Sequence, residues 1–292
     1  MDWEKEEKAM IDKIKNIIKD YPEKIRAEKP LIHHITNYVT VNDCANITLA
    51  AGASPVMADE PEEAEDIISL SSALVINMGT LNKRTIEAMI IAGKAAKKKN
   101  IPVIFDPVGA GASALRNKTA ERLLREIKPS VLKGNMSEIL FISGISSGAK
   151  GVDVSEEDKN INEEIIKEKV MKLALDFECI VAVTGTKDII TDGKNILYVE
   201  NGHKMMSDIT GTGCMSASLT AAYCSVSKNI FLGTAAGILS MGIAGENAFS
   251  LAGHKGSGSF RTALIDEIYK TDGNRLLEKA KLYDGQVENL NG

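Results

Sequence analysis

The chain has 292 residues, with 35 Lys and Arg against 40 Asp and Glu for a formal charge of −5. That length allows one large α/β core, and the interspersed charges exclude a broad basic face for nucleic acid, which leaves a small molecule as the expected partner. The four cysteines, Cys44, Cys179, Cys214 and Cys224, show no CxxC spacing, so common zinc and redox frameworks are excluded and reduced thiols in a cytoplasmic protein are expected.

In chain order, Met10, Ile14, Ile17 and Ile18 recur at helical spacing among charged residues. This predicts an amphipathic helix laid on the main body, within an N-terminal helical extension over residues 1–28. No signal-peptide core and no apolar run near roughly 18 residues occurs, so no membrane association is expected. Residues 30–67 hold His33, His34, Asn37 and Asn42, then a small-residue helix, then Ser54-Pro55-Val56-Met57. Adjacent histidines on a strand face opposite ways and make poor joint metal ligands. The segment suits a polar, sulfur-lined pocket for a small heterocycle, although Met57 could equally be core packing.

From Ala73 the sequence alternates strand-like and helical runs: ALVINMG, LNKRTIEAMIIAGKAAKKKN, IPVIFDPVG, NKTAERLLREI, SVLKGN and MSEILFISG. Strands that are apolar on both faces predict a parallel sheet covered by helices on both sides, a doubly wound α/β fold in a single domain over 1–292. SEEDKNINEE, at 155–164, reads as an exposed, mobile connection. CIVAVTG, DIITDG and NILYVEN then read as strands, with a hairpin at Asp192-Gly193. The Ala-, Gly- and Ser-rich stretch from Cys214 to Ala252 suits tightly packed buried helices.

Four places could carry chemistry. Thr210-Gly211-Thr212-Gly213 precedes a helix start, and is either a backbone anion hole or a plain loop-to-helix cap. Asp106 ends a strand, where it could hold a metal near phosphates or cap the following turn. Glu138 follows another strand with Asn135 three residues before it, as a metal-side group or a first-turn helix carboxylate. Thr184 ends a third strand. Each of the four follows a predicted strand, and strand ends of one parallel sheet share an edge, so the four should converge. Cys214, just after the loop, is open to three readings: nucleophile, proton acceptor or small core residue. A helix start would lower its thiol pKa.

The ordered segments HHITNYVTVNDCAN, GASPVMAD, INMGTL, FDPVGAGAS, LKGNMSEI, VTGTKD and TGTGC resemble the hydroxyethylthiazole kinases of thiamin salvage, in the ribokinase-like superfamily. The similarity runs from about Lys29 to about Leu264. The resemblance implies a ribokinase-like α/β fold, a largely parallel central sheet with helices on both faces. It implies transfer of the ATP γ-phosphoryl group to the primary alcohol of 4-methyl-5-(2-hydroxyethyl)thiazole, with Mg²⁺, in a homotrimer whose sites lie between subunits. By the same resemblance Met57 and Gly211 contact the thiazole with Asn37 near it, Lys133 and Thr184 contact ATP, and Asp106 and Glu138 hold Mg²⁺ directly or through water. The amides of Gly211, Thr212 and Gly213 would receive charge on the transferred group, and Cys214 stands where related kinases place a proton-accepting Asp. Lys133, His34 and Asp208 depart from the residues usual at those positions. Two alternatives stand beside this reading. One is another ribokinase-like kinase, acting on hydroxymethylpyrimidine, pyridoxal or a sugar. The other is a cysteine-dependent hydrolase using Cys214, for which the four histidines give no local partner base.

Overall fold

The computed structural model describes residues 3–144 and 163–287. Most of the predicted connection at 155–164 lies outside the described residues. Two helices open the chain, α1 (Trp3–Ile18) and α2 (Tyr21–Glu28). Strand and helix then alternate: β1 (Leu31–Ile35), α3 (Val41–Ala51), β2 (Ser54–Met57), α4 (Ala64–Leu70), β3 (Ala73–Asn77), α5 (Lys83–Lys98), β4 (Val103–Asp106), α6 (Ala114–Ile127), β5 (Val131–Asn135) and α7 (Met136–Ile142). After α8 (Glu163–Phe177) come β6 (Ile180–Thr184), β7 (Asp188–Thr191) and β8 (Ile196–Val199). A 3-10 turn at Lys204–Asp208 leads into α9 (Thr212–Val226), α10 (Ile230–Ala252), α11 (Ser257–Tyr269), α12 (Gly273–Lys279) and β9 (Leu282–Gln286).

The strands form one sheet in the order β2-β1-β3-β4-β5-β6-β7-β8-β9. Pairing is parallel from β2 through β6 and antiparallel from β6 to β9. Successive residues of a strand point to opposite faces, and here both faces are dry. Ala73, Val75, Ile104 and Ala182 pack in one cluster with Ile14, Ala217 and Leu239. Their neighbours Leu74, Ile76, Phe105 and Val181 pack in the other with Ala88, Leu123 and Val170. Burial on both sides is why the strands read as continuous apolar runs rather than alternating ones. The hairpin about Asp192-Gly193 is present as the antiparallel β7–β8 pair, with Gly193 at φ +91°.

The N-terminal helix lies on the body as its spacing predicts, with Ile14 and Ile18 fully buried and α1 packed on β9, α10 and α12. Small residues let α9 and α10 approach closely: a Cβ added at Gly237 would stand 2.6 Å from the Thr220 Cα. One expectation fails. The TGTG loop does not follow a strand; β8 ends at Val199 and the 3-10 turn intervenes. The loop still reaches the strand ends, because α9 packs across β1, β3 and β4 and carries its N-terminus there. Two strands have no clear sequence signal. In β2 a Pro interrupts SPVM, and β9, LYDGQ, holds an Asp and a Gly.

Candidate active site

Adjacent parallel strands bring side chains at their C-terminal ends side by side. Asp106, the last residue of β4, pairs in register with Asn77, the last of β3. Asn77 Nδ2 donates to Asp106 Oδ2 at 2.8 Å and to Cys214 Sγ at 3.2 Å. Its Oδ1 accepts from Asn37 Nδ2 at 2.9 Å and from the Gly79 N–H at 3.0 Å. Asn37 also donates to Cys214 Sγ at 3.4 Å, and its Oδ1 accepts from the N–H of Val39 and Thr40 and from the Thr40 hydroxyl. Three donors to the Asn37 oxygen, two to the Asn77 oxygen, and acceptors for each amide nitrogen fix both amide orientations.

Glu138 sits in the first turn of α7, in a capping box with Asn135. One carboxylate oxygen accepts from the Asn135 N–H at 2.9 Å, and the other accepts from the Gly109 N–H at 2.8 Å in the loop after Asp106. Burial, and then the nearby charge of Asp106, push the Glu138 carboxyl up to about 7. Burial likewise raises Asp106, against the opposing pull of Lys133 and of the Asn77 hydrogen bond. Asp106 therefore does not cap its own turn, whereas Glu138 does cap a helix while facing Asp106.

Lys133 lies mid-strand in β5, buried, with Nζ donating to the Gly213 carbonyl at 3.1 Å. A third buried carboxyl, Asp188 at the start of β7, accepts from the Gly185 N–H at 2.8 Å and is pushed up to about 7 by burial. The Lys133 charge opposes the rise at Asp106, Glu138 and Asp188 alike. Thr184, in register with Asn135, donates from its hydroxyl to the Gly134 carbonyl at 3.2 Å. Asp208 is exposed, at the end of the 3-10 turn that leads into the TGTG loop.

The TGTG loop supplies the complementary charge. Gly211 is the N-cap of α9 at φ +91°, a conformation open to glycine, and a Cβ there would stand 2.7 Å from Thr40 Cγ2. No side chain caps this end, and the N–H of Met215 closes the first turn onto the Gly211 carbonyl. The N–H groups of Thr212, Gly213 and Cys214 precede that bond and have no intrahelical acceptor, so they offer donors and positive potential to an anion. The thiol of Cys214 behaves opposite to the expected lowering. Burial, followed by the Asp106 charge, pushes it up to about 12; desolvation outweighs the helix dipole, and the sulfur stays protonated at neutral pH.

At the β2 end of the sheet edge, Met57 ends its strand beside His34 in β1. It lines a cleft of about 320 Å³ together with His34, Thr36, Tyr38 and Thr80. Tyr38 is 80% exposed at that mouth. The two histidines face apart as expected: His33 Nε2 meets the Ala58 carbonyl at 2.7 Å, and His34 Nε2 meets Ser218 Oγ at 3.2 Å. Burial lowers His34 to about 4, so it is neutral.

The structure thus links Asn37, Asp106, Glu138, Lys133, Gly213 and Cys214 in one hydrogen-bonded and charged network. Met57 and Thr184 occupy the two ends of the same sheet edge, with β1, β3, β4 and β5 between their strands. Sequence reasoning missed Asn77 and Asp188. Asn77 stands at a strand end just as Asp106 does, which was the available signal; Asp188 opens a strand rather than closing one, and its burial has no sequence signature. Among the described residues, no three His, Cys, Asp or Glu side chains gather as a metal cage.

A sequence profile described as the hydroxyethylthiazole kinase family matches residues 23–274. The chain is 58% identical over 258 residues to the hydroxyethylthiazole kinase of Ruminiclostridium cellulolyticum, covering 88% of this chain and 94% of that protein. To the enzyme of Clostridium beijerinckii it is 56% identical over 255 residues, 87% and 92% of the two chains. Among solved structures it resembles the hydroxyethylthiazole kinase protein from Pyrococcus horikoshii, with a TM-score of 0.83 and 38% identity over 93% of this chain and all of that one. The pyridoxal kinase of Staphylococcus aureus, at TM-score 0.55 and 16% identity over 75% and 88% of the chains, shares the ribokinase-like fold.

Proposed function

The chain belongs to the hydroxyethylthiazole kinase family, and we propose that it transfers the γ-phosphoryl group of ATP to the primary alcohol of 4-methyl-5-(2-hydroxyethyl)thiazole. The observation that carries this reading is the meeting of the uncapped α9 N-terminus with Asp106, Asn37 and Cys214 at the C-terminal ends of parallel strands. Open α/β sheets bind ligands at that edge, and a loose phosphoryl-transfer transition state asks for positioning and electrostatics more than for covalent chemistry.

In this reading the thiazole enters the cleft at Met57, with Asn37 and Gly211 beside it, and its hydroxyl lies against Cys214. ATP contacts Thr184 and approaches Lys133, and the N–H groups at Gly211, Thr212 and Gly213 receive the charge of the moving phosphoryl group. Lys133 supports this loop from beneath through the Gly213 carbonyl. The protonated Cys214 cannot take the hydroxyl proton; the loose transition state places little demand on the nucleophile, so that proton leaves only once bond formation to phosphorus is advanced, and it passes to an oxygen of the transferred phosphoryl group. The hydrolase alternative loses its support here, because a thiol raised to about 12 has neither thiolate character nor an imidazole bonded to it.

The residues present fit Mg²⁺. Asp106 and Glu138 are buried, and the charge of Asp106 raises the Glu138 carboxyl, a repulsion that a divalent cation would relieve. Both Glu138 oxygens already accept backbone N–H bonds, so this side chain suits contact through water, and Asp106 suits the nearer place. Bound there, the ion would neutralise phosphate charge. The same proposal extends to a single domain over 1–292, a cytoplasmic location and a homotrimer with sites between subunits. The exposed apolar Tyr38 at the cleft, with exposed Val39 next to it in the chain, supports burial by a second copy. No helix among the described residues is long and apolar enough to cross a membrane.

The test is direct. Purified protein with Mg-ATP and hydroxyethylthiazole should release ADP and yield the phosphate ester, seen by mass spectrometry. A panel with hydroxymethylpyrimidine, pyridoxal and ribose should give much lower turnover; no thiazole phosphate above background would sink the reading.

A further inference from the structure

Arg116 stands in the first turn of α6, where a cation meets the positive end of the helix dipole at a cost. Among the described residues it forms no salt bridge that would offset this. Instead its half-buried guanidinium turns back over the sheet edge to three carbonyls. One terminal nitrogen donates to Met78 O at 2.7 Å and to Val108 O at 2.5 Å, and the other donates to Gly79 O at 2.5 Å. These carbonyls belong to two different loops, the one after β3 and the one after β4.

Each loop ends on the proposed site. Gly79 donates its N–H to Asn77, and a Cβ at Gly79 would stand 2.7 Å from Asn37 Cβ, so its backbone abuts the thiazole-side asparagine. Gly109, directly after Val108, donates its N–H to Glu138, and a Cβ there would stand 3.2 Å from Arg116 Cδ. The guanidinium therefore spans the gap between the substrate side and the metal side of the site. Its rigid planar fork fixes the angle between donors, which a lysine ammonium cannot reproduce.

We propose that Arg116 is a positioning residue: it sets the spacing between the Met78–Gly79 loop, which backs Asn37, and the Val108–Gly109 loop, which backs Glu138 and Asp106. Through these loops it aligns the acceptor alcohol with the phosphoryl group. The catalytic part of this inference rests on the kinase reading; the coupling of the two loops does not.

The experiment compares wild type with Arg116→Lys and Arg116→Ala in two measurements. In the first, kcat for thiazole phosphorylation should fall on the order of 10²-fold in both variants, as a misplacement near 1 Å costs, while KM for ATP and thiazole moves less than about threefold. Methylguanidinium at low millimolar concentration should restore part of the kcat of Arg116→Ala and none of that of Arg116→Lys. In the second, hydrogen–deuterium exchange should rise together at residues 78–80 and 108–111 in Arg116→Ala. A kcat within twofold of wild type, with only a lower Tm, would overturn positioning and leave a structural role. Exchange rising in one loop alone, or in neither, would overturn the coupling. If wild type itself fails to phosphorylate the thiazole, the kinase reading fails, and the exchange measurement still decides the coupling.

Discussion

Asp188 gives the sharpest test of the buried charge beneath the candidate site. Its carboxyl rises from an ordinary 3.8 to about 7, with burial as the main cause and the Gly185 N–H and Lys133 opposing. At about 1.4 kcal/mol for each tenfold change in proton affinity, keeping it ionised in the folded protein costs roughly 4 kcal/mol. Because the folded-state pKa lies above the unfolded one, that stability is fully present below about 3.8. It is lost as pH climbs through about 7. Asp188→Asn keeps an oxygen to accept the Gly185 N–H, now bonded at 2.8 Å, but buries a new N–H₂ group, which costs about 1–3 kcal/mol if it finds no acceptor. About 1 kcal/mol of the wild-type advantage is already lost at pH 4.5, so the variant should be less stable there by up to about 2 kcal/mol, and more stable at pH 8.5 by about 1–3 kcal/mol. Glu138 titrates in both proteins and largely cancels in the difference. Urea denaturation of the metal-free protein from pH 4.5 to 8.5 measures it. If the two stability curves run parallel across that range, Asp188 is not titrating in the folded state and the reasoning is wrong.

Two further predictions concern the loop. Gly211→Ala should destabilise the protein by about 2–4 kcal/mol, combining the left-handed backbone and the contact with Thr40. Gly213→Ala, whose Cβ would meet nothing within 4 Å inside the helix, should match or slightly exceed wild-type stability; equal melting curves for the two variants would refute the distinction. Cys214, raised to about 12, should resist iodoacetamide at pH 8 in the native protein, and Cys214→Ala should lower turnover by no more than about tenfold with ATP binding retained, since a protonated thiol takes no proton and only the hydrogen bonds from Asn37 and Asn77 to sulfur are lost. Fast alkylation of Cys214, read by peptide mass mapping, would show a thiolate and return the nucleophile reading.

Several features of the fold are legible in the sequence alone. The apolar strands from Ala73 to Thr184, the hairpin at Asp192-Gly193 and the N-terminal helix rest on periodicity and turn chemistry, which act locally. The positions of Asp106, Glu138 and Thr184 were legible for a related reason: each sits in or just after a strand, and a parallel sheet puts such residues on one edge. The TGTG loop was placed correctly but for a wrong reason, since packing of α9 across β1, β3 and β4, and not a preceding strand, brings it there.

The rest depended on distance and dielectric, which a linear sequence does not encode. Whether Cys214 is acidic or inert was decided by how deeply it is buried and by the charge of Asp106, more than by its place in a helix. Asn77 became a hub because the β3–β4 register sets it beside Asp106 and because α9 delivers the sulfur of Cys214 to the same amide. Lys133 became the shared cation of three buried carboxyls because β5 lies beside β4, leads into α7 with Glu138, and is separated from β7 by β6 alone. Residue type and local pattern therefore determined which elements form and which groups stand at strand ends. Tertiary packing alone decided which of those groups touch, which stay protonated, and that an arginine at a helix start holds two site loops together.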